Sequence, residues 1–288
     1  MIWIFIIAVL IIVGVLLDRE IYFYEGAHLH PHIQAWLYDR WAKKYDDGKH
    51  DSQTQDVEML AKPLLNALQV AMVPEPFVLD FATGTGRLSH ALLNQPDFKG
   101  HIVAVDLSQG MLEQAASKLG WVATTEQGNA HHPLSARVEL LRHLALPLPF
   151  PDATFDVVCA LEVLELFPNM DKPLSELTRV LRPGGILLTS RGTEESGRKA
   201  VVRTEKAFTS LLERNGFEKV QITKWWKIFD RVIAVKNQSS SPVGVRKLSD
   251  VLCCQACHQT QWQTELRVWQ CKNCGKELPV TKEGIVLN

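Results

Sequence analysis

The sequence predicts an α/β protein built on a mostly parallel sheet of seven strands that ends in an antiparallel hairpin. Three observations predict it. The stretch FVLDFATGTGRLSHALL, residues 77–93, runs from an apolar segment through Ala82-Thr83-Gly84-Thr85-Gly86 into a helical apolar pattern, which reads as strand, glycine turn, helix. A second apolar run, HIVAV, closes on Asp106 twenty residues past Gly86, where a parallel βαβ unit places the end of its second strand. The final runs, Val220 to Trp226 and Phe229 to Val235, are separated by too few residues for a crossover, so they must pair as a hairpin.

The other strands follow in order. Arg137 to Leu141 is the third, and FDVVCAL from Phe155 to Leu161 is unbroken apolar, as expected for a central strand buried on both faces. Cys159 within it reads as a small core residue. Ile186 to Ser190 is the fifth, introduced by Arg182-Pro183-Gly184-Gly185. Helices are expected at Met111 to Leu119, capped by Ser108, at Lys172 to Leu181, and at Glu205 to Asn215, which Gly216 stops. The segment Trp121 to Ser135 is longer than an ordinary connection and reads as a functional or disordered loop, with His131 and His132 taken as surface residues.

Upstream of the sheet, Met1 to Leu17 carries no charge and is followed by Asp18-Arg19-Glu20. As a helix it covers about 25 Å against a hydrocarbon core of about 30 Å, which reads as a marginal transmembrane anchor. Arg19, Arg40, Lys43 and Lys44 all lie downstream, so the expectation is a single-pass membrane protein whose catalytic domain is cytoplasmic. From His28 to Asp47, Ile33, Trp36, Leu37, Trp41 and Tyr45 recur at helical spacing beside polar residues. Such an amphipathic helix suits a membrane surface or the cover of a cleft. His28, His30 and His32 flank Pro31 with no regular partner and are not taken as metal ligands.

With 288 residues and 46% apolar composition, the chain can bury a full α/β core and still carry appendages. The 31 basic and 32 acidic residues give a net charge of -1, which removes any global electrostatic case for nucleic acid. Five of the six cysteines fall between Cys253 and Cys274, a clustering that favours a metal site over disulfides. Cys254-x2-Cys257 and Cys271-x2-Cys274 supply four thiolates for tetrahedral zinc, and a segment of some 40 residues needs such a staple to fold. Cys253 is the spare, and Asn237 to Gly244 reads as a flexible polar linker.

Taken together, the order of parts resembles the class I S-adenosylmethionine-dependent methyltransferases, in particular the small-molecule group that includes the ubiquinone and menaquinone biosynthesis enzymes. The residues that carry the resemblance are VLDFATGTGRLSHALL at 78–93, VAVDLSQGMLEQA at 103–115, LPFPDATFDVVCALEVLELF at 148–167 and LTRVLRPGGILLTS at 177–190. YDRWAKKYD at 38–46 is similar to the helix that covers the cofactor in that family. The resemblance spans roughly residues 35–236 and implies a Rossmann-like sheet. It implies that Asp80, Ala82, Gly84 and Gly86 lie against the methionine and nucleoside parts of the cofactor, that Asp106 binds the ribose hydroxyls, and that Leu107 sits beside the adenine. Glu162, at the C-terminal end of the fourth strand, is the substrate-side candidate, and no catalytic base is assigned.

Three positions depart from the family pattern. Ala82 stands for the first glycine of the loop, His143-Leu144-Ala145 replaces an Asp-Ala pair near the adenine, and Glu162-Val163-Leu164-Glu165-Leu166 lacks the histidine of E-x-x-x-H. A dinucleotide reading fails because Ser89 occupies the third glycine position and the sheet ends in a hairpin instead of a second βαβ half. The tail KELPVTKEGIVLN resembles the zinc ribbons appended to many bacterial methyltransferases.

The expected organisation is an anchor at 1–20, a helical cap region at 21–73, a methyltransferase domain at 74–236, a linker at 237–249 and a zinc ribbon at 250–288. The expected activity is methyl transfer from S-adenosylmethionine to a small acceptor, lipophilic or membrane-associated, with zinc as a structural ion. A protein partner through the ribbon is also considered, and nucleic acid is not expected. The alternatives are a non-catalytic cofactor-binding scaffold whose ribbon recruits a partner, and a methyltransferase acting on RNA or protein.

Overall fold

Apolar runs without alternation become strands when both faces of a sheet are covered, and that is what happens to the runs read above. The computed structural model describes residues 2–26, 28–47, 53–120, 135–196 and 202–288, so the expectations for residues 121–134, including His131 and His132, lie outside the described residues. Strands β1 (Phe77–Phe81), β2 (His101–Asp106), β3 (Val138–Arg142), β4 (Phe155–Ala160) and β5 (Leu181–Gly192) are mutually parallel. Strands β6 (Phe217–Trp226) and β7 (Phe229–Lys236) form the hairpin, with β7 antiparallel to β5.

Side chains alternate faces along each strand, which divides the core in two. Val78, Ile102 and Ala104 pack in one cluster with Leu64 of α3 (Lys62–Val70), Leu88 of α4 (Arg87–Leu93) and Leu112 of α5 (Gln109–Lys118). Phe77, Leu79 and Val103 pack in the other with Leu177 of α6 (Asp171–Val180) and Leu211 of α7 (Glu205–Arg214). Upstream lie α1 (Ile2–Asp18) and α2 (Pro31–Trp41).

Two expectations are corrected. The sheet has eight strands and not seven, in the order β11-β3-β2-β1-β4-β5-β7-β6, because β11 (Ile285–Leu287) pairs in parallel with β3. A strand of three residues carries too little periodicity to be read from sequence, and what makes it a strand is the edge of β3 on which it lies. The single-pass membrane localisation is also overturned: among the described residues no helix is long and apolar enough to cross a membrane. Helix α1 is 17 residues long, and at 1.5 Å per residue it falls short of a hydrocarbon core.

The C-terminal segment begins with α8 (Leu248–Val251) and adds a three-stranded sheet of β8 (Trp262–Thr264), β9 (Val268–Cys271) and β10 (Glu277–Pro279). Its apolar residues Leu248, Leu252, Trp262, Trp269 and Leu278 belong to the same core cluster as Leu141, Leu148 and Phe150. The approach to it is fastened as well, since Asp156 accepts the backbone N–H groups of Val243 and Gly244 at 2.8 and 3.0 Å.

Candidate active site

A cavity of about 490 Å³ opens at the C-terminal ends of β1, β2 and β4, the edge where open parallel sheets bind ligands. Its volume lies within the range of small-molecule sites. At its floor the chain leaves β1 through residues with positive φ: Ala82 at 54°, Gly84 at 56° and Gly86 at 74°. Glycine takes these angles without steric cost, while at Ala82 the Cβ stores roughly 1 kcal/mol of strain. A Cβ at Gly86 would stand 3.1 Å from that of Ala115, so α4 approaches α5 closely. A Cβ at Gly84 would meet nothing within 4 Å, so the main chain lies open there.

Two buried carboxylates frame the turn. Asp80 is 4% exposed, and its Oδ2 accepts the hydroxyls of Thr83 and Ser89, each at 2.7 Å. Burial raises its pKa from the ordinary value. Asp106 accepts the Gly84 N–H on Oδ2 and the Ser108 N–H on Oδ1, both at 2.8 Å. Burial pushes its pKa up to about 6 despite those donors. The Leu107 N–H favours the carboxylate as well, and Asp106 keeps part of its acceptor capacity beyond these donors. Leu107 also lines the cavity, so the structure brings Asp80, Ala82, Gly84, Asp106 and Leu107 to one part of its wall, with Gly86 closing the turn behind.

The cover of this part was read from apolar spacing, yet its anchors are polar. Ile33 and Trp36 are 47% and 55% exposed, while Ala35 and Leu37 are buried. Asp39 accepts the Ser108 hydroxyl at 2.6 Å and the Gly110 N–H at 2.8 Å, tying α2 to the start of α5. Asp46 accepts the Thr85 hydroxyl at 2.7 Å and the Lys118 ammonium at 2.8 Å. Tyr38 donates to Glu25 at 2.6 Å, and burial, with Tyr45 and nearby carboxylates, holds its phenol well above the usual range. Sequence spacing offered no signal for these partners beyond the presence of two aspartates in 38–46.

A second part of the wall is assembled from distant segments. Arg87 donates to both oxygens of Asp56 at 2.9 and 2.6 Å and to Glu162 at 3.1 Å, and its Cζ lies 5.7 Å from the Trp225 ring centroid. Burial raises the pKa of Asp56 in spite of Arg87. Glu162 has φ 53°, a strained angle of the kind that collects at functional sites, and its N–H donates to the Ser190 hydroxyl. The indole N–H of Trp225 is buried with no hydrogen-bond partner among the described residues. Arg87, Glu162 and Trp225 all line the cavity, together with Leu29, Leu166 and Phe167. Of these, only Glu162 was legible as a site residue.

Away from the cavity, the thiols of Cys254, Cys257, Cys271 and Cys274 all lie within 4.8 Å of one another. Cys254 and Cys274 sulfurs are 3.6 Å apart, and Cys257 and Cys271 sulfurs 3.5 Å. Tetrahedral zinc with bonds of about 2.3 Å separates its sulfurs by about 3.8 Å, so the four thiols are compatible with that ion. His28 instead pairs with Glu20 at 3.0 Å, and His30 caps α2.

The sheet order, the glycine turn and the paired carboxylates at the tips of β1 and β2 define an α/β protein that binds a nucleoside-bearing ligand. Comparison with known proteins narrows this. The methyltransferase domain model matches residues 79–189, and the S-adenosyl-L-methionine-dependent methyltransferase family model matches residues 136–285, just over half of the chain. The chain belongs to the S-adenosyl-L-methionine-dependent methyltransferases. A demethylmenaquinone methyltransferase of Symbiobacterium thermophilum is 31% identical over 149 residues, 52% of this chain and 55% of that one. A ubiquinone/menaquinone biosynthesis C-methyltransferase of Ralstonia pickettii is 30% identical over 154 residues, 52% of this chain and 56% of that one. The chain thus spans about half the length of these curated relatives. A SAM dependent methyltransferase from Aquifex aeolicus shares the fold with TM-score 0.51 at 22% identity, covering 69% of this chain and 98% of that one.

Proposed function

We propose that this protein transfers a methyl group from S-adenosylmethionine to a small, largely apolar ring acceptor of the kind the quinone-biosynthesis relatives are named for. The observation that carries the reading is one cavity at the strand tips whose wall joins the buried carboxylates of the glycine turn to a largely apolar lining in which Arg87, Glu162 and Trp225 stand. The residues present fit the cofactor. Gly84 leaves main chain open to a ligand, and Asp106 retains acceptor capacity for the ribose hydroxyls. Asp80, Ala82, Gly84 and Gly86 then hold the methionine and nucleoside parts, and Leu107 lies beside the adenine.

When bound, the cofactor supplies an already activated methyl group on a sulfonium. What the chain adds is placement: the acceptor must be held in line with that methyl, which makes proximity and orientation the main contribution. Arg87 holds the carboxylate of Glu162 in place, and the Trp225 ring beside Arg87 gives the acceptor an aromatic wall. The cover formed by α2 keeps water from the cleft, with Asp39 and Asp46 as its fastenings. The four thiols hold a structural zinc ion.

The test is release of S-adenosylhomocysteine during incubation with a panel of aromatic hydroquinones and phenols. Turnover with ring acceptors supports the reading. Cofactor binding with no turnover on any small acceptor or on total lipid extract favours a non-catalytic scaffold.

A further inference from the structure

In parallel α/β sheets each face is covered by crossover helices, and the described part of the connection from β3 to β4 contains none. The cover over that part of the sheet comes from the far end of the chain. Leu248, Leu252, Trp262 and Leu278 share one buried cluster with Leu141 and Leu148. Edge pairing is supplied from the same source: Ile285, Val286 and Leu287 stand opposite Leu140, Leu141 and Arg142. Further bonds bind the two parts, from the Leu248 N–H to Glu139 at 2.6 Å and from the Cys253 N–H to the Pro149 carbonyl at 2.8 Å.

These contacts end at the cavity. The Asn288 N–H donates to the Arg142 carbonyl at 3.1 Å, which sets its side chain against His143, a residue that lines the cavity beside Leu144 and Ala145. His143 Nε2 lies 3.0 Å from the Pro147 carbonyl, an acceptor only, so Nε2 carries the hydrogen. Nδ1 then accepts from the Asn288 amide at 3.3 Å. The ring is thereby held between the Pro147 and Ala145 carbonyls on one side and a residue of the C-terminal segment on the other.

We propose that the cysteine-held C-terminal segment forms part of the cofactor site: β11 covers the edge of β3, and Asn288 is a positioning residue for His143 in the cavity wall. The proposal rests on the zinc and cofactor readings above. A metal held by the four thiols orders the segment that carries Asn288, so metal occupancy and cofactor affinity are coupled, and the coupling is reciprocal.

The experiment compares the full chain with and without zinc, removed by a chelator, using amide hydrogen exchange and calorimetric titration with S-adenosylhomocysteine. Faster exchange in residues 138–146, native exchange in β4 and an affinity weakened about tenfold are expected. Unchanged exchange there, or faster exchange with unchanged affinity, overturns the proposal. If zinc removal unfolds the whole chain, zinc-loaded Asn288→Ala decides. It keeps its metal and its Tm, shifts the ring nitrogen resonances of His143 and binds S-adenosylhomocysteine several-fold more weakly, whereas native resonances and affinity overturn the proposal. Failure of the zinc-loaded native chain to bind S-adenosylhomocysteine refutes the cofactor reading instead, and the exchange and the His143 resonances then judge the contact by themselves.

Discussion

Two groups of carboxylates around the cavity are held in opposite ways. At the turn, Asp80 and Asp106 are surrounded by hydroxyl and N–H donors from the glycine turn, α4 and the β2–α5 connection, and among the described residues no cation pairs with either. In the second group, Asp56 and Glu162 share the single guanidinium of Arg87. The first arrangement keeps acceptor capacity free at fixed positions, which suits one invariable ligand. The second ties charge together among apolar walls, so that a weakly polar acceptor meets few unpaired groups.

Substitutions in each group should separate binding from fold. The largest effect is expected for Asp106→Ala, which removes both charge-assisted acceptors and leaves the Gly84 and Ser108 N–H groups unpaired. Affinity for S-adenosylhomocysteine should fall by about a hundredfold or more by calorimetry. Arg87→Met should act on stability instead, because it strands the buried carboxylate of Asp56. A loss of about 3 kcal/mol is expected in urea unfolding.

Trp225→Ala removes a ring that lines the cavity beside Arg87, so KM for the acceptor should rise about tenfold while cofactor affinity stays unchanged. A shift in cofactor affinity alone would contradict that role.

The pH dependence sharpens the same contrast. Burial raises the Asp106 pKa above the ordinary value of 3.8 to about 6, so the stability this group contributes is present below the ordinary value and is lost as pH rises through 6. Cofactor binding, which uses the carboxylate, should move the other way and weaken by up to about tenfold per unit below pH 6. The smallest effect is expected for Ala82→Gly, which relieves a positive φ of 54° and should raise stability by a few tenths of a kcal/mol in the same unfolding assay.

The turn was legible because backbone chemistry writes itself locally: glycines at a strand-to-helix turn and an aspartate at the next strand's tip lie within 30 residues of one another. The central strands were legible for a similar reason, as unbroken apolar runs. Arg87 stood in plain view beside Gly86, but its partners Asp56 and Glu162 are 31 and 75 residues away, and no periodicity links them. Asp39 and Asp46 were hidden because a helical apolar pattern draws attention to Trp36 and Ile33, which turn out exposed. The eighth strand was missed because three residues define no period and the edge that receives them is a tertiary feature. The N-terminal stretch was misread for the reverse reason: composition marks a segment as apolar, while spanning a membrane also demands length.

The most direct test of the proposed cavity is a crystal structure of the chain with S-adenosylhomocysteine. The account predicts both ribose hydroxyls within hydrogen-bond distance of Asp106 and the sulfur turned toward Arg87, Glu162 and Trp225. A ligand seated with its ribose among those three residues, or bound outside the cavity, would contradict it.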